Sequence, residues 1–159
     1  MNPPATYRRR RDWVLHGPGW ALLFYLIYAQ GIAALDYQLG VRMGTQESAA
    51  AITEVGAAFW YGFAVGDLAI YIPLLAAGLI GHWLGKTWGP MVLAAALGIT
   101  VYWPVVCLAA IFAARWAPGW NLPKETAYWV VLPLIALWGA FGLWRVVSRK
   151  RDENTWTQS

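Results

Sequence analysis

The chain has 159 residues, of which 59% are hydrophobic and 13% charged, about half the charge of an ordinary soluble domain. That balance excludes a soluble globule. The net charge of +4 raises nucleic acid as a partner, but the basic residues cluster where apolar runs end, as topology signals do, and this argues against it.

Four runs contain almost no Asp, Glu, Lys or Arg: residues 13–35, 55–85 (broken only by Asp67), 87–114 and 126–144, together 101 residues. A bilayer-spanning helix needs about 20 apolar residues, so each run crosses once, and none alternates as a barrel strand would. The expected fold is all-α: a polytopic membrane protein with four transmembrane helices in one bundle, over about residues 14–36, 57–83, 88–114 and 126–147, forming a single domain across 1–159. The first run is too long for the apolar core of a signal peptide, so it is read as a retained span. Little chain is left for a soluble catalytic domain.

Arg8, Arg9, Arg10 and Arg11 precede span one, Lys86 separates spans two and three, and Arg145, Arg149, Lys150 and Arg151 follow span four. Arg42, Arg115 and Lys124 occupy the other two connectors. This asymmetry predicts cytoplasmic termini by the positive-inside rule. Most of the 12 tryptophans fall near span ends and read as interfacial anchors. Gly17-Pro18-Gly19 is expected to mark the start of span one, Glu47 to Thr53 a short interfacial helix, and Trp116 to Pro123 a turn-rich connector. The lone Cys107 can form no intrachain disulfide.

Asp67 is the most informative residue. It lies eight residues into span two, roughly 12 Å at the helical rise. A charge near the bilayer centre costs on the order of 2.5–3.5 kcal/mol even on the lenient insertion scale. No Lys or Arg lies at its depth. Three things can compensate it: a proton, hydrogen bonds that pin helices together, or a bound cation or amine. Helical spacing puts Trp60, Phe63, Ala64, Tyr71, Leu74 and Gly78 on its face, while Gly62 and Gly66 form a Gly-xxx-Gly pair suited to close helix approach. Asp36 ends span one, with Tyr25, Ala29 and Ile32 on its face. Read alone, Asp36 and Glu54 are interfacial carboxylates. Pro73, Pro104 and Pro133 bend spans two, three and four, and each frees a carbonyl four residues earlier. Near Pro104, Thr100, Tyr102 and Trp103 offer hydroxyls and rings at mid-span, and Trp129 is the residue whose carbonyl Pro133 frees. His16 and His82 sit at the terminal ends of spans one and two, away from Asp67. No metal set and no cofactor is expected.

Four features together resemble the EXPERA family, which includes the sigma-2 receptor and emopamil-binding protein. They are the basic N-terminus with a span ending Ala34-Leu35-Asp36-Tyr37-Gln38; Asp67-Leu68-Ala69-Ile70-Tyr71-Ile72-Pro73-Leu74; Thr100 to Pro104; and Pro133 before a basic tail. The resemblance implies four membrane helices, cytosolic termini and a pocket opening toward the bilayer. It also implies that Asp36 and Asp67 meet in that pocket and that one of them holds a ligand amine. Unlike the sterol-isomerising members, this chain has no acid in span three and no histidine beside Asp67. The function expected is binding of a lipophilic molecule (a sterol, isoprenoid or hydrophobic amine) by Asp36, Asp67, Tyr71, Trp60, Tyr25, Thr100, Tyr102, Trp103 and Trp129. The alternatives are a lipid or sterol double-bond isomerase using Asp67 and Asp36, a proton-coupled small transporter, and a structural subunit. The partners expected are membrane lipids and a lipophilic small molecule, with a homodimer as an option for transport. An Ala- and Gly-rich composition suggests a bacterial inner membrane.

Overall fold

A computed structural model describes residues 12–156; Arg8 to Arg11 and the side chains of Arg149, Lys150 and Arg151 lie outside what it describes. The described residues are helical, without strands. Four helices are long and apolar enough to cross a membrane: Trp13–Leu35, Ala49–Trp83, Gly89–Ala114 and Glu125–Ser148, spans one to four. The fourth helix continues to Trp156. A short helix, Tyr37–Arg42, follows span one.

Span one starts at Trp13, ahead of Gly17-Pro18-Gly19, so Pro18 lies inside the helix instead of at its start. Proline has no N–H to give the carbonyl four residues back. The carbonyl so freed, that of Val14, accepts instead from the Trp138 indole of span four at 3.1 Å. A helix defect in one span thereby becomes a tether between two.

Span two begins eight residues earlier than the apolar pattern predicts, and the two extra turns carry part of the expected Glu47–Thr53 helix. The two pieces are not collinear. Thr53 has φ 67° and ψ 164°, and its Oγ1 accepts from the Gly56 N–H at 3.3 Å, capping the longer helix that follows. The Asn121 N–H donates to the Ala51 carbonyl at 2.7 Å, tying this corner to the connector between spans three and four.

Pro73 acts as expected on span two. The helix widens before it into a π turn over Asp67–Tyr71, in which the Ile72 N–H reaches back five residues to Asp67 O. A π turn inserts one residue and so rotates everything after it by about 100°. Span one carries a second π turn, Ile27–Gly31, with no proline beside it. The two π turns touch.

One end of the bundle gathers the start of span one and the ends of spans two and four. His16 Nε2 and His82 Nδ1 are 2.8 Å apart, Trp13 meets Trp83 edge-on, and Arg145 pairs with the buried Asp12 at 3.0 Å. Close helix approach is made by other glycines than the pair predicted. A Cβ at Gly78 would lie 2.7 Å from Leu93 Cα, and Gly81 and Gly89 abut one another across the turn between spans two and three. Gly62 and Gly66 face open space. Two buried clusters result. The larger joins Leu15, Leu26, Tyr71, Leu75, Leu79, Leu93 and Leu97; the smaller, at the opposite end, joins Ile52, Ala57, Ile111 and Leu122. Along span two, Phe63 and Asp67 fall between them.

Candidate functional site

Between the two clusters lies a cavity of about 80 Å³. Span two supplies Trp60, Phe63 and Asp67, three positions on one helical face before the π turn. Span one supplies Tyr25 and Gln30, span three Trp103 and Cys107, and span four Tyr128 and Leu132. Thr45, Gln46 and Glu47 of the first long connector close the end away from the termini.

Asp67 is 6% exposed and makes no hydrogen bond or ion pair with any described residue. No Lys, Arg or His lines the cavity. The indole Nε1 of Trp60 is buried without a hydrogen-bond partner, while the Trp103 indole faces the Tyr71 hydroxyl. Above Asp67, the Trp60 and Tyr128 rings stack 6.2 Å apart and 14° from parallel. The cavity therefore combines ring faces, an unpaired acid and an unpaired indole donor. An ammonium placed there gains charge-assisted hydrogen bonds and cation–π attraction together.

The connector is fastened over this space. Tyr37 donates to the Glu47 carbonyl at 2.9 Å, and Tyr128 donates to Glu47 Oε1 at 3.3 Å. Gln46 donates its two amide protons to Ala29 O and Gln30 Oε1, each at 3.3 Å. Burial, followed by the charge of Glu47, pushes the Tyr37 hydroxyl up to about 12.

Of the residues expected at the site, Asp67, Trp60, Tyr25 and Trp103 line the cavity together. Tyr25 is 54% exposed, so it walls the cavity on one side and faces outward on the other. Asp36 lies elsewhere. Its extended backbone ends span one, and its side chain accepts from the Leu39 N–H at 2.9 Å and faces Arg42 at 3.6 Å. It caps a helix and does not meet Asp67. Glu54 is exposed. Tyr71 and Thr100 are fully buried in the larger cluster, 2.6 Å apart, outside the cavity. The Thr100 hydroxyl gives its proton to Ala96 O at 2.9 Å, so Tyr71 is the donor to Thr100. The rotation at the π turn explains why Tyr71, on the Asp67 face of a regular helix, is turned away. Tyr102 is exposed, and the Trp129 indole donates to Glu125 at 3.0 Å near the bundle end.

Glu47, Gln30, Gln46 and Tyr128 escaped the sequence reading. Gln30 carried a usable signal, an amide inside an otherwise apolar span. Tyr128 was indistinguishable from an interfacial anchor, and Glu47 from a solvated connector acid.

No family model, curated protein or solved structure matches the chain. Among the described residues no three His, Cys, Asp or Glu side chains converge as metal ligands would.

Proposed function

We propose that this chain is an EXPERA-like integral membrane protein that binds an organic amine, its ammonium on Asp67 and its apolar part against Trp60, Phe63, Trp103 and Tyr128. One observation carries the reading: a carboxyl 6% exposed, without a protein partner, borders a cavity that no basic side chain lines. A buried acid left unpaired is costly, and a guest cation removes that cost. The reading retains from the family resemblance the four-helix frame and the acid of span two, and replaces Asp36 by Glu47 as the second acid. An amine is favoured over a neutral sterol for two reasons. The lining is acidic and aromatic, and drug-sized ligands occupy sites of about 300–1,000 Å³, well above the roughly 80 Å³ found here. With cytoplasmic termini in a bacterial inner membrane, the connector that closes the cavity faces the periplasm.

The test is calorimetric titration of the purified chain in mild detergent with n-butylamine and with 1-butanol, its neutral counterpart. Binding of the amine alone, weakened about tenfold or more by Asp67→Asn and unchanged by Asp36→Asn, is expected. Equal affinity for both compounds, or an Asp67→Asn variant that binds as the parent does, ends the proposal.

A further inference from the structure

Resting on the amine-binding reading, we infer that the preferred guest is a dication: a short aliphatic α,ω-diamine held between Asp67 at one end of the cavity and Glu47 at the other. Asp67 and Glu47 line the same cavity. Glu47 is positioned by the Tyr128 hydroxyl, and the Tyr128 ring stacks on Trp60. Trp60 lies seven residues before Asp67, about 10 Å along the helix. Taking Glu47 to lie level with Trp60, the two acids are roughly that length apart along the helix direction, with rings between them. Allowing about 2.8 Å for each ammonium–carboxylate contact leaves roughly 5 Å between the two nitrogens, the reach of a three- or four-carbon chain.

Gln46 agrees in sign. It uses both amide protons on Ala29 O and Gln30 Oε1, so what it retains for a guest is a carbonyl oxygen, a third acceptor. Between the acids the wall is Trp60, Phe63 and Tyr128, apolar enough for methylenes and π-rich enough for the charged ends. The small volume suits a linear diamine. A monoamine engages one acid and leaves the other without a counter-charge.

The experiment compares 1,4-diaminobutane with n-butylamine on the purified full chain, and follows diamine affinity across a series from two to eight carbons. The diamine is expected to bind about tenfold tighter than the monoamine, with a maximum near four carbons. Glu47→Gln is expected to remove the diamine's advantage over n-butylamine and to flatten the chain-length series. Equal affinities, a series that rises steadily with chain length, or a Glu47→Gln variant that weakens both ligands alike overturns the inference and leaves the amine site standing. Absence of n-butylamine binding removes the site and this inference together. The chain-length series needs no variant, so it decides the matter even where Glu47→Gln fails to fold.

Discussion

The Trp60 indole and the Tyr128 phenol ring stack across spans two and four, 14° from parallel. One partner follows Asp67's helical face; the other holds Glu47. This pair couples the membrane-embedded acid to the connector that closes the cavity, and it gives the protein's two neighbouring acids one shared aromatic wall.

Asp67 lowers stability in the empty protein, because its carboxyl is buried without a partner. Asp67→Leu is expected to raise the melting temperature of the purified protein, by about 1–3 kcal/mol of unfolding free energy, while abolishing n-butylamine binding. Thermal denaturation followed by circular dichroism checks the first part, titration the second. A Leu variant less stable than the parent means that Asp67 is a structural hydrogen-bonding group.

Tyr71→Phe tests the opposite assignment. Its hydroxyl bonds Thr100 in the core and does not line the cavity. A loss of about 0.5–1.5 kcal/mol is expected, with amine affinity unchanged within about twofold. Loss of binding beyond that would return Tyr71 to the site.

Gly78 and Gly62 should respond in opposite directions. Gly78→Ala puts a Cβ 2.7 Å from Leu93 backbone, where nothing flexible can give way. Overpacking of this kind costs about 1–3 kcal/mol. Gly62→Ala meets open space and gains about 0.5–1 kcal/mol from helix propensity. Melting temperatures of the two variants, side by side, distinguish them.

Thr53 holds φ 67° and ψ 164°, a region that is essentially glycine's own. Thr53→Gly relieves strain of order 1–3 kcal/mol and loses a few tenths with the cap to Gly56. A net rise in melting temperature is expected. A fall would mean that the Thr53 methyl, 3.4 Å from a Cβ built at Gly119, contributes more packing than the backbone costs.

Tyr37 gives the connector a pH dependence. Its hydroxyl is pushed from 10 up to about 12, mainly by burial and then by Glu47. The folded state therefore favours the protonated phenol. This contribution is fully present below pH 10 and is lost as the pH rises through about 12. Limited proteolysis of the connector over that interval should accelerate in the parent and not in Tyr37→Phe.

The sequence alone determined the architecture. Four long apolar runs leave the chain no other way to satisfy its backbone in lipid, and lipid makes the unpaired acid in span two conspicuous. What surrounds that acid was decided by tertiary structure. A 3.6-residue period assigns faces only while the helix is regular. The π turn before Pro73 breaks that period beside Asp67, turning Tyr71 inward and leaving Trp60 and Phe63 on the cavity. Asp36 and Glu47 look alike as connector acids in the sequence. One is consumed in capping its own chain at Leu39, while the other is drawn over the cavity by a tyrosine 81 residues away. Spacing along one strand of chain cannot report a contact of that kind, because it exists only once spans two and four have packed.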